Sequence, residues 1–337
     1  MEHHLVPLHD SILDTIGRTP IIKLHRMGPD HTTVYVKAES FNPGGSVKDR
    51  LALAVVLDAE ARGLLKPGDT MIECTSGNVG IALSMVAAAR GYKFVAVMGD
   101  TYSVERRKLI RAYGGKVILF PGSLGSSGGN QIADELAEKH GWFRPRQFDN
   151  PANPAFHRET TAAEILSDFA GKRLDYFVTG FGTSGTLTGV GQMLKVARPA
   201  VKIIATEPAN AALLSGKPWN VHRIQGLAPN FVPTVLDQTV IDELTTIDEI
   251  VARDTARRLA AEEGIFAGIS SGATLATALR IAEDAPEGSV FLAMLPDTGE
   301  RYLSTFWFEG VEEGSDDAWL DSLEPTVESS AMEEIHA

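Results

Sequence analysis

The sequence has little cysteine and no excess of positive charge, and both absences restrict what it encodes. Cys74 is the one cysteine in 337 residues, so the chain cannot form an intramolecular disulfide. The formal net charge is −13. Nucleic acids and anionic membranes bind basic surfaces, so we expect neither as a partner. An anionic ligand would instead have to bind locally, at backbone N–H groups and helix N-termini.

Long apolar runs and the usual metal-site motifs are also missing. The longest apolar run, 81–89, is interrupted by Ser84 and is too short to cross a bilayer. The first ten residues, MEHHLVPLHD, contain no apolar segment like that of a signal peptide. Neither an HExxH motif nor paired cysteines occur, so we expect no bound metal. We therefore expect a cytoplasmic enzyme.

What the sequence does contain is a regular alternation of short apolar runs and helical segments that end at glycine. Apolar residues make up 44% of the chain, enough to fill a sizeable core. The alternation is typical of parallel sheets flanked by helices, so we predict an α/β fold with two halves. We predict strands near Ile72 and over 94–98, 116–120, 176–178, 201–205 and 290–295. We predict helices over 77–90, 104–113, 130–140, 185–196, 247–263 and 271–283.

The first segment with chemical potential is NPGGSVKDR, residues 42–50, in which a Pro-Gly-Gly turn precedes Lys48. The pattern predicts a lysine at the start of a helix, where the positive end of the helix dipole disfavours a second positive charge. Such a field would lower the pKa of the amine and ease Schiff-base formation. The alternative is a solvated lysine beside Asp49.

Two further loops lie between a predicted strand and a predicted helix. Residues 75–80, TSGNVG, offer hydroxyls, an amide and free N–H groups that suit a carboxylate, or else an ordinary helix cap. Residues 180–186, GFGTSGT, are small enough for successive N–H groups to converge on a phosphate. This loop matches neither the P-loop nor the dinucleotide-binding pattern.

The remaining candidates favour structural interpretations. Residues 268–272, GISSG, precede a predicted helix, and by themselves indicate a serine cap. His140, His157 and His222 are isolated histidines, for which a structural or surface position is the simpler interpretation.

Together, and in this order, the four segments resemble the fold-type-II pyridoxal 5′-phosphate (PLP) enzymes, specifically the cysteine synthase (O-acetylserine sulfhydrylase) family. The resemblance runs from about Ile12 to Phe306. The matching segments include SVKDR around Lys48, TSGN at 75–78, SVERRKLIRAYG at 103–114, GFGTSGTLTGV at 180–190, IQG at 224–226, EGIFAGISSGA at 263–273 and GERYLST at 299–305.

The resemblance implies a fold and its division. Two three-layer α/β/α domains with mostly parallel sheets would hold PLP in the cleft between them. Residues 1–45 with 155–310 would form the larger, PLP-binding domain, and 46–154 a smaller mobile domain that binds the substrate carboxylate. The charge pattern, and not the resemblance, predicts an acidic C-terminal tail over residues 311–337.

The resemblance also implies a role for each matching residue. Lys48 would form the Schiff base and later move the α-proton of the substrate. Asn78 would bind the 3′-oxygen of PLP, and Ser270 would face its pyridine nitrogen. The residues implied for the phosphate are Gly182, Thr183, Ser184, Gly185 and Thr186. Those implied for the substrate are Thr75, Ser76, Asn78, Val79 and Gln147 at its carboxylate and Gly226 near its amino group.

The implied reaction is β-replacement: O-acetyl-L-serine and sulfide give L-cysteine and acetate by way of an aminoacrylate. A neutral serine at the ring nitrogen cannot stabilise a pyridinium as an aspartate would, which favours loss of the β-substituent over transamination. The resemblance further implies a homodimer, a small amino-acid substrate and a possible contact with serine acetyltransferase.

Four positions depart from the usual family pattern. Val79 stands where threonine is usual, Ser184 replaces a glycine, Tyr102 a common methionine and Gly99 a common proline. The changes at 79 and 102 bear on the donor and the nucleophile, not on the cofactor.

These departures leave alternatives open. Sister enzymes with the same machinery are an O-phosphoserine sulfhydrylase, cystathionine β-synthase, β-cyanoalanine synthase or cysteine desulfhydrase. A non-catalytic partner of serine acetyltransferase is a further alternative, against which Lys48, Asn78 and Ser270 argue.

Overall fold

The computed structural model describes residues 8–75, 77–311 and 313–322. The chain divides into two compact units, of which the first ends at Trp307 and the second begins at Phe308. Both sheets belong to the first unit. The described part of the acidic tail contains a short helix, Asp317–Asp321.

The strands and helices alternate along the first unit. The strands are β1 Ile21–Lys23, β2 Thr33–Ala38, β3 Thr70–Cys74, β4 Lys93–Gly99, β5 Lys116–Phe120, β6 Tyr176–Gly180, β7 Lys202–Pro208, β8 Glu243–Ile247 and β9 Val290–Leu295. The helices are α1 Lys48–Ala61, α2 Asn78–Arg90, α3 Val104–Ala112, α4 Gly125–His140, α5 Ala152–Glu159, α6 Thr161–Asp168, α7 Gly185–Ala197, α8 Glu249–Glu263 and α9 Ile269–Glu283; the tail helix Asp317–Asp321 is α10.

The strands form two separate sheets. The larger has the order β1-β2-β9-β6-β7-β8, and the smaller has the order β3-β4-β5. Every described pair is parallel except β1 with β2. Parallel neighbours need long crossover connections, and the helices between the strands supply them.

Each sheet has apolar side chains on both faces, as buried parallel sheets do. In β9, Leu292 and Met294 pack into the core on the side of α6 and α7. Phe291 and Leu295 point to the opposite face, into the core with α9. The smaller sheet is also apolar on both faces. Successive residues of β4 point alternately into a core shared with α1 and α2 and into a second core shared with α4. The predicted α/β class with parallel sheets is confirmed.

Glycine ends several helices as predicted. Gly91, Gly141 and Gly264 follow α2, α4 and α8 in the left-handed conformation, with φ of 77°, 67° and 71°. A residue without a Cβ atom adopts this conformation at little steric cost.

Three predicted helix starts were wrong: α9 begins at Ile269 rather than at 271, and the starts of α4 and α8 also differ. Helix α4 begins at Gly125 rather than near 130, through a glycine- and serine-rich turn of low helix propensity. A Cβ atom on Gly129 would lie 2.5 Å from Cys74 Sγ, so close packing against β3 requires this composition. The helix predicted from 247 begins at Glu249, because Ile247 ends β8 and Asp248 caps α8 through its side chain.

No helix in the described ranges is long and apolar enough to cross a membrane.

Candidate active site

Lys48 is the first residue of α1 and lines a cavity of about 860 Å³. The preceding turn is held by Gly45 N donating to Asn42 O at 2.7 Å and Gly44 N donating to Asp49 Oδ2 at 2.6 Å. Val47 N also donates to Pro296 O at 2.8 Å, which ties the turn to the segment after β9. The turn thus delivers the lysine to the cavity as predicted.

Burial lowers the pKa of the Lys48 amine from 10.5 to about 8, although the negative charges of Asp297 and Glu39 act in the opposite direction. The direction agrees with the sequence-based expectation, but the cause differs. Desolvation is the largest contribution, whereas the helix dipole was expected. A pKa near 8 leaves a useful fraction of neutral, nucleophilic amine at neutral pH.

The loop 75–80 has both features that its sequence suggested, a helix cap and residues that face the cavity. Thr75 Oγ1 accepts hydrogen bonds from Gly77 N at 3.0 Å and Gly80 N at 3.1 Å, so this hydroxyl caps the first turn of α2. Thr75, Asn78 and Val79 nevertheless line the cavity. Ser76 lies outside the described residues.

Gln147 lies at the same end of β3, in the segment after Phe143, which pairs with Met71 of that strand. Its Nε2 donates to the carbonyl of Cys74 at 2.5 Å, and its side chain lines the cavity. Cys74 also lines the cavity. Burial raises the pKa of its thiol to about 12, so the thiol stays protonated and is a poor nucleophile.

The loop 180–186 connects β6 to α7 and requires its glycines. A Cβ atom on Gly182 would lie 2.2 Å from Gly226 O, and one on Gly185 would lie 1.8 Å from Asn153 Oδ1. Ser184 adopts the left-handed conformation, with φ of 66°, directly before α7. The backbone of the loop therefore packs closely against Asn153 and Gly226, directly before the 13-residue helix α7.

This loop fits an anionic group. The Ser184 hydroxyl is buried and has no hydrogen-bond partner among the described residues. A buried hydroxyl without a partner is costly, and a phosphate at the helix N-terminus would satisfy it. Ser184 therefore supplies a donor that the usual glycine lacks.

His157 supports the same loop from behind. Its Nε2 lies 3.4 Å from Thr186 Oγ1, and its Nδ1 lies 2.8 Å from Thr161 Oγ1. Burial and the charge of Arg50 are the main causes that lower the pKa of His157 to about 3. The imidazole is therefore neutral and holds Thr186 in place, in agreement with the structural role expected for it.

The cavity collects most, but not all, of the predicted site residues. Those that line it are Lys48, Thr75, Asn78, Val79, Gln147, Gly182, Thr183 and Gly226. Ser184, Gly185, Thr186 and Ser270 are not in its lining. Ser270 is in the first turn of α9 and is 4% exposed.

Sequence reasoning assigned no role to several residues that shape the site. Asn78 contacts Asp297 and Arg301, and Arg106 Nη1 donates to Gln225 Oε1 across the cavity wall. Arg106 also lies over the ring of Tyr302, 4.5 Å from its centroid. Arg106, Gln225 and Arg301 lie within three of the segments that resemble the family. That position was the one indication in the sequence that they belong to the site.

A family model described as "Pyridoxal-phosphate dependent enzyme" matches residues 12–297. The chain belongs to this family. Its cofactor is PLP, as the resemblance implied, and the loop before α7 and the lysine at the start of α1 fit that cofactor chemically. The family is the cysteine synthase-like, fold-type-II group of PLP enzymes.

Individual relatives refine this assignment. The chain is 80% identical to the O-ureido-L-serine synthase of Streptomyces lavendulae over 319 residues, 95% of this chain and 98% of the relative. It is 48% identical to a cysteine synthase of Staphylococcus aureus over 297 residues, 88% of this chain and 96% of the relative. A crystal structure of O-ureido-L-serine synthase superimposes with a TM-score of 0.92 at 80% identity, covering 94% of this chain and 100% of that one.

Proposed function

We propose that this PLP enzyme makes O-ureido-L-serine from O-acetyl-L-serine by β-replacement. The observation that carries the proposal is 80% identity to an O-ureido-L-serine synthase over 95% of the chain. Cysteine synthesis, the first expectation from the sequence, is less well supported, since the cysteine synthase compared here is 48% identical. The relatives thus favour a sister enzyme.

The nucleophile follows from the chemistry of the product. O-Ureido-L-serine carries an oxygen on Cβ, and that oxygen is bonded to a nitrogen of urea. Replacement at Cβ therefore needs N-hydroxyurea, which attacks through its hydroxyl oxygen. The C–O bond to acetate breaks, the new C–O bond forms and the hydroxyl proton is released, so nothing is oxidised or reduced.

Bound PLP supplies the electron sink for cleavage of the Cα–H bond and loss of acetate. Lys48 holds the cofactor covalently and moves the proton at Cα, for which its lowered pKa is suited. Asn78 would bind the 3′-oxygen of PLP, and Ser270 would face its ring nitrogen. Residues 182–186 would hold the phosphate through their N–H groups and hydroxyls.

The loop after β3 binds the substrate carboxylate. Thr75 and Asn78 would contribute polar side chains and Val79 its N–H group, and Gln147 would complete this end of the cavity. Ser76, outside the described residues, keeps the role that the resemblance implied for it. Gly226 lines the side nearest the amino group. Val79 offers no hydroxyl, so its contribution is the backbone N–H at the start of α2.

Two departures from the cysteine synthase pattern support the larger nucleophile. Gly99 and Tyr102 both line the cavity. Burial raises the pKa of the Tyr102 phenol, with a further contribution from Cys74, so the hydroxyl remains protonated and able to donate. A urea carbonyl can accept such a hydrogen bond, whereas sulfide has no carbonyl.

The second candidate is cysteine synthesis with sulfide, which the 48% identical relative supports. The cofactor and carboxylate sites would be the same, and only the nucleophile would differ. The purified holoenzyme should be supplied with O-acetyl-L-serine and either N-hydroxyurea or sulfide, with products identified by mass spectrometry and with Lys48→Ala as the control. A kcat/KM for sulfide more than tenfold above that for N-hydroxyurea would replace the proposal with the second candidate.

The donor is tested in the same assay. O-Phospho-L-serine replaces O-acetyl-L-serine, and release of phosphate or acetate is compared. We expect acetate release, because Arg223, a cavity-lining residue that could pair with a phosphate leaving group, is paired with Glu249 at 2.6 Å.

Further expectations remain proposals. The three-stranded sheet lies within residues 46–154 and the six-stranded sheet within 1–45 and 155–310, and we propose these as the two domains. We also propose a cytoplasmic homodimer able to bind serine acetyltransferase. Light scattering after size exclusion, with and without that enzyme, tests both assemblies.

A further inference from the structure

The carboxamide of Asn78 lies between two buried groups of opposite charge. Its Nδ2 donates to Asp297 Oδ2 at 2.6 Å, and its Oδ1 accepts from Arg301 Nη1 at 2.9 Å. Asp297 is 0% exposed and Arg301 5% exposed. We infer that Asp297 and Arg301 are positioning residues, which orient Asn78 so that its amide nitrogen is the group left to bind a ligand in the cavity.

The two charged groups allow one orientation of the amide. A carboxylate can only accept hydrogen bonds, and a guanidinium can only donate them. If the amide were reversed, its oxygen would face the carboxylate and its nitrogen would face the guanidinium, and both hydrogen bonds would be lost. The amide nitrogen carries two hydrogens, and Asp297 takes one of them. The second remains for an acceptor such as the 3′-oxygen of the cofactor.

The positioning residues are themselves held firmly. Tyr302 OH donates to Asp297 Oδ2 at 2.6 Å, and Gly268 N donates to the Asp297 carbonyl at 3.0 Å. A Cβ atom on Gly268 would lie 2.2 Å from Asp297 Oδ1, so the carboxylate occupies space that only glycine leaves. The orientation of Asn78 therefore depends on a rigid support.

Arg301 links this support to the turn that carries Lys48. Its Nη2 donates to the carbonyl of Gly44 at 2.7 Å, while Ser103 Oγ donates to the Arg301 carbonyl at 2.9 Å. One side chain thus contacts both Asn78 and the turn before the lysine. A single guanidinium therefore bridges Asn78 and the turn.

The side chain of Asp297 uses only one of its two carboxylate oxygens as a hydrogen-bond acceptor. Oδ2 accepts both hydrogen bonds, and Oδ1 is buried with no hydrogen-bond partner among the described residues. A neutral amide could accept the same two bonds but could also rotate to present its nitrogen. The negative charge of Asp297 also opposes the lowering of the Lys48 pKa by burial, which indicates that Asp297 lies near the amine.

The inference rests on the role proposed for Asn78 toward PLP, and not on the identity of the nucleophile. It is tested by the dissociation constant of PLP from the holoenzyme and by the visible absorption band of the bound cofactor, both without substrate. Failure of the N-hydroxyurea assignment would leave these measurements unchanged.

The experiment is a double-mutant cycle with Asp297→Asn and Asn78→Ala. We expect each single variant to raise the Kd of PLP about tenfold, the size expected when a charge-supported hydrogen bond is lost. In the Asn78→Ala background, Asp297→Asn should add less than about threefold. Asp254→Asn is the matched control, because it neutralises an exposed carboxylate outside the cavity, and it should change Kd less than about threefold.

Three outcomes would overturn the inference: full additivity of the two variants, an unchanged Kd and absorption band in Asp297→Asn, or no effect of Asn78→Ala. Circular dichroism establishes that each variant is folded. If Asp297→Asn does not fold, Arg301→Gln takes its place in the same cycle, with the same expected non-additivity.

Discussion

The ring of Tyr102 packs against Gly99, so that a Cβ atom at position 99 would lie 3.2 Å from Tyr102 Cε2. Both positions depart from the cysteine synthase pattern, and the structure connects the two departures. The small residue leaves room for the large one in the wall of the cavity. A proline or alanine at 99 would require the ring to shift by a few tenths of an ångström.

The contact predicts a coupled effect of Gly99→Ala. The displaced ring should lower kcat/KM for N-hydroxyurea about threefold to tenfold and leave that for sulfide within twofold, because a small misplacement weakens a single hydrogen bond. The loss should be absent when Tyr102 is already methionine. Gly314→Ala, whose Cβ atom would meet open space, is the control. An equal loss with both nucleophiles would refute the proposed contact.

The hydroxyl of Tyr102 is tested by Tyr102→Phe. Loss of one neutral hydrogen bond corresponds to about 0.5–1.5 kcal/mol, so kcat/KM for N-hydroxyurea should fall about threefold to tenfold. The rate with sulfide should be unaffected. Tyr113→Phe, at a tyrosine that is 36% exposed, should change neither. Steady-state kinetics with both nucleophiles measure the difference.

The amine of Lys48 should react at a lower pH than an ordinary lysine. Only the neutral amine is a nucleophile, and its fraction rises as the pH passes the pKa, here about 8 instead of 10.5. In cofactor-free protein, reductive methylation of Lys48 should be half-maximal near pH 8. Mass spectrometry of the digest measures this, and the surface lysines are internal references. A midpoint near 10.5 would contradict the lowered pKa.

Arg50, in the first turn of α1, is buried and forms ion pairs with two glutamates. Its Nε lies 2.7 Å from Glu39 Oε2, and its Nη1 lies 2.7 Å from Glu164 Oε1. Arg50→Gln would leave Glu39, which is 0% exposed, without its main charge partner, so the free energy of unfolding should fall by about 3–5 kcal/mol. Arg62→Gln is the control, because its pair with Asp58 is exposed and should contribute less than about 1 kcal/mol. Equal losses in urea unfolding would count against the buried network.

The same network predicts a loss of stability in acid. Burial by itself raises the pKa of Glu164, but hydrogen bonds from Arg50 and the charges of Arg50 and Lys37 outweigh it and lower the pKa to about 2. A lowered carboxyl pKa stabilises the folded state above the unfolded value of 4.5, and this stabilisation is lost as the pH falls toward 2. The wild type should lose about 2 kcal/mol more than Glu164→Gln between pH 4.5 and 2. Parallel pH profiles of the two proteins would contradict this.

The sequence predicted best those features that depend only on neighbouring residues, such as helix ends and turns. Glycines at 91, 141 and 264 ended helices where predicted, because the left-handed conformation is a property of the residue itself. The turn before Lys48 was likewise predictable from Pro43, Gly44 and Gly45. Helix α4 was predicted too short, because its glycine-rich start packs against Cys74, which is about fifty residues away in the sequence.

Most predicted site residues that line the cavity lie on contiguous motifs, whereas the residues that orient Asn78 were not predicted. The loops around Lys48, Asn78 and Gly182 are each readable from a few consecutive residues. The partners of Asn78 are more than 200 residues away, so no spacing in the sequence could have paired them.

The sequence determined the cofactor class through the joint resemblance of its four segments to a known family, because no single segment decided between a ligand site and an ordinary turn or helix cap. Only the tertiary structure decided how those segments meet. It buried the Lys48 amine, placed Asp297 and Arg301 on either side of Asn78, and fitted Tyr102 against Gly99. Desolvation, charge and steric contact all depend on atoms brought together through space, and the order of residues along the chain does not specify them.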